Sequence, residues 1–81
     1  MTKQEFESKI LRAKTMHGLS ERPYYYEGYS RGLRRFYYGE NFGTIEEHEK
    51  WLNLINDKDD VKAERGRGYQ DGLQGKSPAM E

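Results

Sequence analysis

Arg31, Arg34, Arg35 and Tyr38 recur at i, i+3, i+4 and i+7, the spacing of one helix face. Guanidinium groups in such a row can grip phosphates, and Tyr24, Tyr37 or Tyr38 beside them can stack on exposed bases. The same row can pair instead with the acidic segment that follows it in the chain. It can also hold an acidic protein, because Tyr and Arg are favoured interface anchors.

Catalytic chemistry has much less to draw on. The chain has two histidines and no cysteine. His48 stands among Glu46, Glu47 and Glu49, but helix neighbours one or two positions apart point to different faces. It reads as a packing residue near the end of a bundle. His17 sits near a helix C-terminus, where partial positive charge is favourable. Neither histidine belongs to an HxxxH or HExxH pair. The Gly-x-x-x-Gly spacing lies within a helical segment, with no preceding strand and no GK[ST], so it is not a phosphate loop. The expectation is a non-enzymatic protein with no catalytic residue, cofactor or metal site.

The elements that must position the Arg/Tyr row follow from capping and periodicity. Thr2-Lys3-Gln4-Glu5 is a capping box, and Phe6, Ile10 and Ala13 follow at helical spacing. This predicts a first helix over residues 3–16, stopped at Gly18. Ser20 as N-cap and Pro23 in the first turn predict a second helix running to Tyr38 and closing at Gly39. Its apolar stripe is Tyr25, Tyr29, Leu33 and Phe36. A short turn, Gly39–Gly43, tucks Phe42 toward the core. Thr44-Ile45-Glu46-Glu47 is a second capping box. Ile45, His48, Leu52 and Ile55 form the inward seam of a third helix over 45–55, with Trp51 and Leu54 beside it. Asn56–Asp60 is a polar break, and Val61–Gln74 is a fourth helix ended by Gly75.

Glycine breaks the usual rule for helix interiors, since each costs about 1 kcal/mol against alanine. Gly28 and Gly32 lie one turn apart, as do Gly68 and Gly72. Such pairs leave a flat groove for the backbone of another helix, or for a ligand or nucleic-acid backbone. Gly-Tyr-x-x-Gly-Leu begins at Gly28 and again at Gly68, an offset of 40, and the capping box recurs at an offset of 42. The fold expected is all-α: a small bundle of three to four short helices, as two αα-hairpins related by an internal repeat. The two glycine faces would then pack on each other. Residues 1–75 form the domain and 76–81 a flexible tail.

Composition agrees with a small folded unit. The 81 residues include 33% apolar and 35% charged types, and the 14% aromatic content is too high for a disordered chain. The core must therefore lean on Tyr, Phe and Trp. A homodimer is one way to complete so thin a core. Net charge is zero, yet residues 1–39 sum to +4 and residues 40–60 to −5. No run is long and apolar enough for a membrane span, and no apolar leader begins the chain, so a cytoplasmic location is expected.

Arg67-Gly68-Tyr69-Gln70-Asp71-Gly72-Leu73-Gln74-Gly75-Lys76-Ser77 resembles the N-terminal motif of the ribosome modulation factor family. These are small bacterial helical proteins with GYxxGxxG on an arginine-rich helix, followed by a basic residue and serine. The resemblance implies binding to RNA and the ribosome, with Arg65, Arg67, Tyr69 and Lys76 at RNA-facing positions. The leading expectation is therefore a binding or regulatory protein for RNA or the ribosome, acting through Arg31, Arg34, Arg35 and Tyr38 extended by those four. The alternative is a phage- or mobile-element-encoded inhibitor, of the anti-CRISPR type, that binds an acidic host protein complex.

Overall fold

The computed structural model describes residues 1–77. Positions 78–81 of the expected tail lie outside the described residues. Four α-helices, α1 (Lys3–Leu19), α2 (Pro23–Tyr38), α3 (Ile45–Asn53) and α4 (Asp60–Leu73), are joined with two 3₁₀ turns, Gly39–Asn41 and Leu54–Asn56. The two hairpins form a slab, 36 × 31 × 16 Å between Cα extremes.

Both threonine caps form. Thr2 Oγ1 accepts from the Glu5 amide and Thr44 Oγ1 from the Glu47 amide, each at 3.1 Å. The first helix outruns its expected stop. Gly18 keeps an ordinary helical backbone, and α1 ends only where Ser20 turns extended at φ −82°, ψ 155°. Ser20 does not cap α2. Its hydroxyl accepts from the Arg22 amide at 2.8 Å, shaping the turn, while Arg22 takes the N-cap place without a side-chain bond. Pro23 at the first position, with its preset φ and no amide to satisfy, starts the helix instead. α3 closes two residues early in a 3₁₀ turn, at Asn53 rather than residue 55. Asp59 begins α4 by accepting from the amides of Val61 and Lys62 at 2.8 and 3.2 Å. Gly75, at φ 69°, ends the helical stretch in the left-handed conformation expected of a C-terminal glycine.

The centre of the molecule is the crossing of α2 and α4, where the glycines let main chain meet main chain. A Cβ added at Gly28 would fall well inside 3.0 Å of the Arg65 carbonyl, and one at Gly68 would do the same to the Tyr25 carbonyl. Gly32 faces the Tyr69 carbonyl, and Gly72 faces that of Tyr29. Under the 40-residue offset these contacts exchange in pairs: 28 with 65 becomes 68 with 25, and 32 with 69 becomes 72 with 29. The crossing is a local two-fold, and the internal repeat is a repeat of structure as well as of sequence.

Around it the buried apolar residues are Phe6, Ala13, Tyr25, Tyr26, Tyr29, Leu33, Ala63 and Tyr69. A core this rich in tyrosine must satisfy its hydroxyls. Tyr25 donates to Asp71 Oδ2 at 2.5 Å, Tyr29 to the Lys76 carbonyl at 2.6 Å, and the Tyr69 hydroxyl meets His48 Nδ1 at 2.7 Å. Lys76, expected at the start of a tail, is thus tied to the core through its backbone.

Each outer helix is attached differently. α1 sets Phe6, Ile10, Ala13 and Met16 against α2, and Phe6 stacks on Tyr37 with ring centroids 4.2 Å apart. α3 has no fully buried residue. Its inward side is His48 and Trp51, both against Tyr69, with centroid distances of 5.8 and 5.6 Å. Ile45, expected in that seam, is 56% exposed, because the helix is turned toward His48 and Trp51 and leaves its first residue at the rim. Phe42 is half-buried rather than in the core; its ring lies parallel to Tyr38 at 6.3 Å.

Candidate functional site

The expected Arg/Tyr row divides between two sides of α2. Arg31 turns toward α3, where it pairs with Glu47 and lies over the rings of Phe42 and Trp51, at 5.6 and 5.1 Å. Arg35 follows it and donates through Nη1 to the Phe42 carbonyl at 2.9 Å. These two tie the connecting turn and the acidic helix to α2. Tyr38 is 51% exposed and packs edge-on to Phe6 and face-on to Phe42.

Arg34 points the other way. It lines a shallow groove with Tyr26, Glu27 and Ser30 of α2 and with Lys14 and His17 of α1. No described residue offers the Arg34 side chain an ion pair or a hydrogen bond. Of Lys14 and His17, three apart on α1, the sequence drew attention only to His17, and that as a charge near a helix C-terminus. Their spacing was the available signal, but only the hairpin brings them to Arg34.

The residues of α4 are mostly engaged. Arg67 pairs with Glu64, which also receives Arg22 Nε at 3.0 Å. Burial alone would raise the Glu64 carboxyl, but hydrogen bonds and charge from Arg22 and Arg67 outweigh it and hold the group below its ordinary value. Arg65 Nε stands 3.3 Å from Glu27 Oε2, an ion-pair distance, and its guanidinium lies 5.0 Å over the Tyr24 ring. The carboxylate is off the N–H axis, so this occluded Nε makes no hydrogen bond. Tyr69, expected to face RNA, is 2% exposed and faces the core instead. The His48 and Trp51 rings of α3 lie against the Tyr69 ring, while Gly68 and Gly72 on the same helix pack on α2. Lys76 keeps an exposed side chain.

His48 is held below the usual imidazole range, first by burial and then by the charge of Arg35, with Glu49 opposing. Its neutral ring can accept from Tyr69, whose own proton is held more tightly because burial raises its pKa. The pair packs α3 onto α4. Among the described residues no group of histidine and carboxylate side chains could hold a metal ion, and no helix is long and apolar enough to cross a membrane.

Lys14 and Arg34 therefore leave this groove able to bind an anion, with the His17 ring beside them. Of the eight residues expected from sequence, Arg34, Tyr38 and Lys76 retain side chains available to a partner, and Arg35 does so in part. Comparison with protein-family models, with curated proteins and with solved structures finds no match to this chain.

Proposed function

We propose that the protein is a small non-enzymatic binding module for single-stranded RNA, alone or as displayed on a ribosome, with the groove between α1 and α2 as its contact. One observation carries this reading: Lys14, His17 and Arg34, from two helices, converge on one groove, and Arg34 has no intramolecular partner among the described residues. A guanidinium left unpaired in a molecule that pairs Arg22, Arg31, Arg65 and Arg67 with carboxylates is available for an outside anion. The exposed ring of Tyr38, one turn beyond Arg34, adds a surface on which a base can stack.

Fluorescence anisotropy with labelled oligouridylate tests the reading. Two to three phosphate contacts should give a log–log salt slope of about −1.4 to −2.1. Arg34→Ala combined with Lys14→Ala should weaken binding at least roughly tenfold with unchanged circular dichroism, as expected for loss of charge-assisted contacts. The exposed Leu11 and Leu19 on α1, at 66% and 78%, favour a second reading, a protein-directed inhibitor. Salt-insensitive, nuclease-resistant capture of a host protein, lost on Leu11→Ser, would replace the first reading with the second.

A further inference from the structure

A second groove opens where α2, α3 and α4 meet, lined by Glu27, Lys50, Trp51, Leu54, Lys62 and Arg65. Glu27 also lines the groove of Lys14, His17 and Arg34. The two hollows are therefore neighbours on one side of the molecule, with the Glu27 side chain as their common wall. Cationic groups stand on both sides of it, and Glu27 is the one carboxylate among the residues that line either groove. Lys50 and Lys62 have no ion pair with a described residue.

The pair that crosses the wall is loosely made. Arg65 Nε is 3.3 Å from Glu27 Oε2 yet forms no hydrogen bond, and the side chains are 31% and 42% exposed. A pair of that kind contributes little to stability. An incoming phosphate can displace the Glu27 carboxylate and give Arg65 a better-aligned acceptor. A small anion cannot serve both clusters at once, whereas an extended polyanion can. The 40%-exposed Tyr24 ring under Arg65 adds a flat surface on which a base can stack.

We infer that the two grooves form one track for an extended single strand of RNA, and that Glu27 is an internal competitor that limits how tightly the track holds it. This rests on the RNA-binding reading of the first groove and adds to it a length requirement and a residue whose loss improves binding.

The test measures binding of the full chain to oligouridylates of about 4 and about 16 nucleotides, the range of small single-strand sites. Glu27→Gln should tighten binding of the longer strand by up to about fivefold, the factor that one exposed ion pair represents. It should also steepen the salt slope by about 0.7, one further phosphate contact. Lys50→Ala with Lys62→Ala should weaken the longer strand and leave the shorter one unchanged. Thermal melts check that each variant stays folded. If Glu27→Gln leaves affinity and slope unchanged while Arg34→Ala still weakens binding, the track is wrong and the single-groove reading stands. If the wild-type chain binds neither strand, both fall. Equal affinity for polyglutamate of matched charge would overturn RNA as the occupant.

Discussion

The two hairpins share a backbone pairing and fill it differently. In the first, the space between α1 and α2 is taken by side chains, with Phe6, Ala13 and Tyr26 all buried. In the second, the position 40 residues after Tyr26 is Gly66, and a Cβ there would meet the backbone of Leu54 and Ile55. One hairpin holds its helices apart with an aromatic ring. The other brings the 3₁₀ turn directly onto a bare helix and rests α3 on Tyr69 through two half-buried rings. Hydroxyl partners differ in the same sense: Tyr29 ends on a backbone carbonyl, and Tyr69 on an ionisable histidine. A repeat can thus keep its central contact and still yield one firmly packed half and one adjustable half.

The strongest way to break this comparison is at the crossing itself. Because the contacts are reciprocal, Gly28→Ala and Gly68→Ala should cost nearly the same, about 3 kcal/mol or more, since backbone cannot move aside as a side chain can. Against a total of roughly 4–12 kcal/mol for a domain of this size, either variant should be largely unfolded or melt far lower by circular dichroism. Gly18→Ala is the control: nothing lies within 4 Å of its Cβ, so it should stabilise by about 0.5–1 kcal/mol. A large difference between the Gly28 and Gly68 variants would mean that the two-fold does not govern stability.

A smaller and more local effect is expected at Gly66→Ala. It should cost about 1–3 kcal/mol and act on the second hairpin alone. Trp51 fluorescence should report exposure of α3 while most helical signal remains. Simultaneous loss of both signals would show that the halves do not differ in independence.

The smallest effects should be those of pH, and they sharpen the contrast. His48 is held below its ordinary value, so the folded state prefers the neutral ring. Stability from this site is full above pH about 6.5 and is lost as pH falls toward the lower folded value, because the unfolded chain takes the proton first. Tyr29 behaves oppositely. Burial, and then the Asp71 charge, push its pKa from 10.0 to about 12, so its contribution is full below pH 10 and is lost between about 10 and 12. Denaturant titrations across pH should show an acid-side loss abolished by His48→Gln and an alkaline loss reduced by Tyr29→Phe. An acid-side loss that survives His48→Gln would place the sensitive group elsewhere.

Much of the fold was legible because its signals are local. Thr2, Thr44 and the Asn56–Asp60 break mark helix starts through their own side chains, and the paired glycines mark the crossing because nothing else explains them inside helices. What failed depended on partners distant in the chain. Ser20 looked like a cap until Pro23 took the start, and Ile45 looked inward until His48 and Trp51 set the rotation of α3. The candidate site was less legible than the fold. Arg31, Arg34 and Arg35 share one sequence pattern, but Glu47 and the Phe42 carbonyl claim two of them, and only the folded hairpin brings Lys14 and His17 to the third. Tyr69 belonged to a motif implying an exposed surface, and His48 and Trp51 of α3 cover it.

The crossing of α2 and α4 also determines which mutations the fold can absorb. A junction made from carbonyls and α-carbons keeps no record of side-chain identity. Exposed positions on both helices can drift, change charge or acquire new partners without the junction registering it. The four glycines themselves admit no gradual change, because the smallest addition already collides with main chain. Variation is therefore confined to the outward faces, where the Arg34 and Lys62 grooves lie, and binding preference can diverge on a framework that stays fixed.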